Sequence, residues 1–138
     1  MNTEVNQKRI NFTTKVMEIL QSWGLTASQQ SDLLAMPGEV RSRHMRQYIE
    51  GTPFPEDVQI DVRADHIVGI SDALRTSYPR NVEMGPFWMK RSNKLFAHRS
   101  PIICILEDGL SGLLSVRTHL DCAYGWHLDD LQSKTKKD

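Results

Sequence analysis

The chain is short of the ingredients that define several protein classes. Only two of its 138 residues are cysteines. Cys104 and Cys122 have no CxxC or CxxH companion, so a disulfide scaffold, a redox pair and a zinc site have no support. Both thiols are expected to be reduced and packed in the core. The longest uninterrupted apolar run, Ile102 to Leu106, is far short of the roughly 20 residues that cross a bilayer, so no membrane-spanning segment is expected. Met1 to Ile10 is polar and mixed in charge, without the apolar stretch of a secretory signal, which points to a cytoplasmic protein. An excess of one charge is also missing, since 17 Lys+Arg balance 17 Asp+Glu. That excludes a polyelectrolyte that coats nucleic acid over its whole surface. There is no internal repeat and no low-complexity tract.

Catalytic constellations are equally scarce. There is no GxSxG elbow, no HExxH, and no GxGxxG or GxxxxGK[ST] to cradle a phosphate. His44, His66, His98, His119 and His127 are too dispersed to suggest a metal cluster. The carboxylate pairs Glu107-Asp108 and Asp129-Asp130 fall at an expected helix end and in the tail, where solvation or capping accounts for them better than acid–base chemistry. The chain is expected not to be an enzyme and to need no cofactor or metal.

What is present is helical periodicity. Phe12, Val16, Ile19, Leu20 and Trp23 lie on one face of a helix that ends at Gly24. Thr26 stands three residues before Gln29, a capping-box spacing that opens a second helix from Ala27 to about Met36, closed by Pro37-Gly38. Val40 to Glu50, with Val40, Met45, Tyr48 and Ile49 among polar residues, predicts a third helix that stops at Gly51. Pro53 and Pro55 then break the chain. Val58, Ile60, Ala64, Ile67, Ile70 and Leu74 predict a long helix from about Glu56 to Ser77, although Val58 to Val62 also alternates like a strand. Met84, Phe87 and Trp88 suit a short helix, and Ser100-Pro101 supplies an N-cap and first-turn proline for another through Leu106. After Asp108-Gly109 a last helix places Leu113, Leu114, Arg117, Leu120 and Tyr124 on one face and ends near Gly125-Trp126. Trp23 and Trp88 are expected as core anchors, and Gln132 to Asp138 as a disordered tail. The fold class is therefore all-α: a helical region over 10–80 that includes a connecting helix, a small helical domain over 81–128, and a tail over 129–138.

The neutral total conceals two basic islands. One is Arg41, Arg43, His44 and Arg46; the other is Lys90, Arg91, Lys94, His98 and Arg99, within a stretch (81–100) holding four Lys+Arg against one acid. Each is either a solvated helix face or a confined contact for an anion or phosphate backbone. The first island lies on the later helix of a helix–turn–helix pair, in the place from which such a motif enters the major groove. Arg41, Arg43, Arg46 and Gln47 can reach phosphates or base edges, and Ser42 can add a phosphate contact, which makes these five the candidate DNA-binding residues. In the last helix, Leu110, Leu113, Leu114, Val116 and Leu120 offer more apolar width than so small a domain needs, so part of that surface is expected to meet another chain.

Taken together, these residues resemble a family. Trp23-Gly24-Leu25, Gln29-Gln30, Leu33-Leu34, Gly51, Arg63, Ile70 and Leu74 look like the divergent helix-turn-helix region of Xre/MbcA/ParS-type antitoxins. Trp88, Asn93, Leu95-Phe96, Ser100-Pro101, Leu106, Gly109, Val116 and Leu120 are similar to the C-terminal toxin-binding domain of that family. The resemblance covers roughly residues 10 to 126. It implies an antitoxin of a type II toxin–antitoxin pair, whose partner is a RES-type, NAD-degrading toxin or a related ADP-ribosylating enzyme. It also implies repression of its own operon through operator DNA, and self-association as a dimer or higher oligomer. On this reading the toxin-facing residues are Trp88, Lys90, Arg91, Lys94, His98, Arg99, Leu113 and Arg117. The chain departs from the family pattern at Ala35, in the later position of Gly51, in Ala97-His98-Arg99, and at Ile103. Two alternatives stay open: a stand-alone helix-turn-helix regulator with no toxin, and an interaction module that has lost DNA contact.

Overall fold

The computed structural model describes residues 2–38 and 42–122. Within them the protein is all-α, with helices α1 (Asn2–Ser22), α2 (Ala27–Leu33), α3 (Arg46–Glu50), α4 (Val58–Ser77), α5 (Met84–Lys90), α6 (Pro101–Asp108) and α7 (110–122). Single 3-10 turns cover Ser42–His44 and Lys94–Phe96. There is no strand among the described residues, and none of their helices is long and apolar enough to cross a membrane.

Local chemistry explains most of these boundaries. Gly24, in the left-handed region at φ 77°, turns the chain out of α1. Thr26 Oγ1 accepts the Gln29 N–H at 3.2 Å while Gln29 Oε1 accepts the Thr26 N–H at 2.9 Å, so the capping box is closed in both directions. Asp57 Oδ1 accepts from the Gln59 N–H at 2.8 Å and starts α4 two residues after Pro55. Ser100 Oγ accepts from the Ile103 N–H at 3.1 Å, with Pro101 at the first helical position of α6. The competition between helix and strand at Val58 to Val62 resolves as helix, and burial shows why. Ile60, Ala64, Ile67, Ile70 and Leu74 form one buried stripe at intervals of three and four, while Val58 and Val62 face outward.

Four expectations are corrected. The first helix begins at Asn2, ten residues before Phe12; its early turns are polar and exposed but contain no breaker. They are tied down by Arg9, whose guanidinium donates to the Phe54 and Pro55 carbonyls at 3.1 and 2.7 Å and lies 3.5 Å from Asp61. The second helix ends at Leu33, because Ala35 takes a left-handed conformation at φ 55°. The segment expected as one helix from Val40 to Glu50 is a 3-10 turn followed by the five-residue α3. Met45, between the two, is the N-cap residue of α3 without a side-chain cap bond; it and Tyr48 are both buried, and the Tyr48 N–H reaches the Met45 carbonyl at 3.2 Å where α3 opens. Finally, Cys104 is buried as expected, but Cys122 is exposed; both are free.

The core is one connected cluster that runs from Val16 on α1 to Leu120 on α7. α1 packs on α3 and α4, α5 packs on α4 and α6, and α2 reaches α6. The two helical regions expected from the sequence thus share a single interior, with the α4 stripe as its spine. Arg63 on α4 donates to the Leu33 carbonyl at 3.3 Å, placing a cation at the C-terminal end of α2, where the helix dipole favours it. Its Nε is buried without a partner among the described residues. The expected tail, Tyr124 and Trp126 all lie outside the described residues.

Candidate interaction surfaces

The first surface is built around the α2–α3 pair. Leu33 and Leu34 are buried at the end of α2, and the buried Gln30 amide donates to the Leu25 carbonyl at 3.1 Å, which fixes the α1–α2 corner. On the other side of the turn, Met45 and Tyr48 point inward, and the Tyr48 ring packs tilted on Phe54 with centroids 5.3 Å apart. With those two anchored, Arg43, Arg46 and Gln47 face solvent. Arg46 is 83% exposed and its Nε lies 3.1 Å from Glu50 one turn later. Arg43 has no ion pair among the described residues. Together with Gln21, Leu25, Ala27, Gln30, Met45 and Ile49, these two arginines line an open groove, with no carboxylate among its described lining residues. Arg41 lies outside the described residues, and for Ser42 the description extends to the backbone alone.

The second surface follows α5. Trp88 is half-buried and meets Phe96 edge-on, with centroids 6.3 Å apart; Phe96 in turn meets His119 of α7 at 5.7 Å. Phe87 and Leu95, 54% and 63% exposed, stand beside this aromatic row. Asn93 organises the loop. Its Oδ1 accepts from the Leu95 N–H at 3.0 Å, its carbonyl accepts from the His98 N–H at 3.0 Å, and its own N–H donates to the Arg99 carbonyl at 3.1 Å. Lys90, Arg91, Lys94 and His98 are exposed around it. Trp88, Arg91, Ser92, Asn93, Lys94 and Leu95 line a shallow groove, again with no carboxylate among its described lining residues.

Three of the residues expected on the toxin-facing surface are occupied within the fold. Leu113 is fully buried, so it belongs to the core; Val116 and Leu120 join it there, and Leu114 is the α7 leucine that faces outward. Arg117 NH1 lies 3.2 Å from Asp65 Oδ2 and 3.0 Å from His66 Nδ1, which pins α7 to α4. Arg99 is clasped to α6, with NH1 3.1 Å from Glu107 and NH2 3.0 Å from Asp108. The Glu107-Asp108 pair, read from sequence as solvated or capping at a helix end, stands exposed at the end of α6 and there also anchors this arginine. Two acids eight and nine residues beyond an arginine were the available signal, but no helical period links them across Ser100-Pro101.

The clasp has a pH signature. The Arg99 hydrogen bonds hold the Asp108 carboxyl below the usual carboxylate range against an opposing desolvation, and Asp108 and Glu107 raise the guanidinium still further. Burial pushes the neighbouring Cys104 thiol up. Because the folded Asp108 value is depressed, its contribution is present above the ordinary value of about 3.9 and disappears as pH falls through the folded value. The melting temperatures of the wild type and Arg99→Gln are therefore expected to differ at neutral pH and converge in acid. A gap that stays constant with pH would show that the pair does not hold α6.

No family model, no curated protein and no solved structure matches this chain.

Proposed function

We propose that the protein acts by occupying surfaces: that it is an antitoxin which binds a toxin protein through the α5 region and operator DNA through the α2–α3 region. What supports this most directly is the pairing of two exposed cationic grooves, neither with a carboxylate among its described lining residues, one of them lined by Trp88 and the exposed Leu95. Aromatic and aliphatic groups ringed by cations suit a protein interface whose centre is apolar and whose rim is charged. Among the described residues Arg46 pairs with Glu50 and Arg43 enters no ion pair; with Gln47 they are exposed and suit phosphate contact. A RES-type toxin is the partner implied by the Trp88-to-Leu120 resemblance. A paired chain would present two copies of the α2–α3 surface to a roughly palindromic operator.

Co-expression tests the first half. The reading frame adjacent to this gene is expected to arrest growth alone, to be silenced by this chain, and to co-purify with it; a harmless neighbour, or one that does not co-purify, removes the antitoxin reading. For the second half, Arg43→Ala/Arg46→Ala is expected to weaken gel-shift binding to the upstream DNA at least tenfold, about 1.4 kcal/mol, with an unchanged circular dichroism spectrum. Binding that survives the double substitution would take the DNA role away from α3.

A further inference from the structure

The two basic islands, about 45 residues apart in sequence, both reach the Gly24–Leu25 corner at the end of α1. The link is Lys90. A β-carbon placed on Gly24 would lie 3.5 Å from Lys90 Cε and 3.6 Å from its Nζ, so the ammonium rests against the backbone just past the end of α1. The next residue, Leu25, together with Gln21 on the last turn of α1, lines the groove that carries Arg43 and Arg46. On its other side Lys90 is followed directly by Arg91, which with Lys94 lines the α5 groove. Arg43, Lys90, Arg91 and Lys94 are all exposed and enter no ion pair among the described residues, whereas Arg9, Lys15, Arg46, Arg75, Arg99 and Arg117 each hold a carboxylate. Among the described residues, the cations without a carboxylate partner thus include a row around one corner of the molecule, beside the Arg46–Glu50 pair.

We propose that Arg43, Lys90, Arg91 and Lys94 form one continuous cationic track that takes the phosphate backbone of duplex DNA, so that the α5 region extends the contact begun at α3. This rests on the DNA-binding half of the proposed function and widens it. Charge complementarity is the argument: a row of cations lacking carboxylate partners fits a regularly spaced polyanion, and such contacts fix position without reading sequence. Lys90 also sits where the α1 carbonyls end, a favourable place for a cation. That local role would affect stability and leave salt dependence untouched.

The experiment compares salt dependence. Binding of a mixed-sequence DNA duplex and of the upstream DNA is measured over a salt series for the full-length wild type, Arg43→Gln, the triple variant Lys90→Gln/Arg91→Gln/Lys94→Gln, and Lys8→Gln. Lys8 is an exposed cation about 24 Å along α1 from Gly24. The slope of log K against log salt is expected to fall by about 0.9 for each phosphate contact removed, so by about 2 to 3 in the triple variant, equally on both duplexes, and not at all in Lys8→Gln. If Arg43→Gln lowers the slope and the triple variant does not, the track is wrong while α3 keeps its role. If the wild type shows no salt-dependent binding, the DNA reading fails as a whole. A triple variant that keeps its slope but loses binding to poly-glutamate would assign the surface to an acidic protein and overturn the track.

Discussion

Gly112→Val is expected to be among the most damaging single substitutions in the chain. A β-carbon at Gly112 would stand 2.5 Å from the Cys104 carbonyl oxygen, 2.8 Å from Ile105 Cα and 3.0 Å from the Cys104 carbonyl carbon. All three are backbone atoms of α6, which cannot rotate out of the way as a side chain does. α6 and α7 are joined by the single residue Gly109, left-handed at φ 63°, so the hairpin has little slack with which to open. Relieving the clash means displacing α7, and with it the buried Leu113, Val116 and Leu120. The helix propensity recovered by removing a glycine is at most about 1 kcal/mol, and less for a β-branched residue. Overpacking costs about 1 to 3 kcal/mol when the surroundings can adjust, and here they are main chain. A net loss of about 3 kcal/mol or more is expected from a total of roughly 5 to 15, read as a lower urea midpoint. Gly69→Ala is the informative contrast, because its new β-carbon meets the guanidinium of Arg117, the far end of a flexible chain. Swinging that group away costs an exposed ion pair, about 0 to 1 kcal/mol, against a similar gain in propensity. It should stay within about 1 kcal/mol of wild type. Equal midpoints for Gly112→Val and wild type would show that the α6–α7 crossing is loose.

These two glycines mark the limit of what the sequence discloses. Helix ends written in local chemistry were legible: the Thr26 and Gln29 capping box, the Pro53 and Pro55 break, Ser100-Pro101, and the Asp108-Gly109 interruption all fall where their side chains and backbone preferences put them. The α4 face was legible because its stripe, Ile60 to Leu74, runs through about four turns. The break between Ser42–His44 and Arg46–Glu50 was not, since Met45 and Tyr48 keep helical spacing and no glycine or proline stands between Ser42 and Glu50 to mark it. The fate of cations was legible least. Arg99 and Arg117 looked like Lys90 and Arg91 in composition, yet the first two find carboxylates on other elements and the latter do not. A pairing across 52 residues, as between Arg117 and Asp65, leaves no trace in local spacing. The candidate surfaces were therefore visible as islands, while their membership and their adjacency at Gly24 came from the fold.

Ile67→Ala tests whether the islands ride on one body. Ile67 is fully buried midway along α4, flanked on the same stripe by Ala64 and Ile70. Truncating it removes three carbons from the interior and leaves a void that helices on both sides share, a change that costs about 2 to 5 kcal/mol. Had the chain folded as two units hung on a connecting helix, one unit would loosen before the other. The single cluster from Val16 to Leu120 dictates otherwise. Trp23 at the end of α1 and Trp88 on α5 provide a reporter in each half. In the Ile67→Ala background, variants retaining one or other of these tryptophans as the sole indole should unfold at the same urea concentration. That midpoint should also match loss of helix by circular dichroism and lie well below the wild-type value. Two separated fluorescence transitions would divide the core at α4. Each basic surface would then be positioned by its own domain, and the continuity at Lys90 would depend on how the domains meet, which one shared interior makes unnecessary.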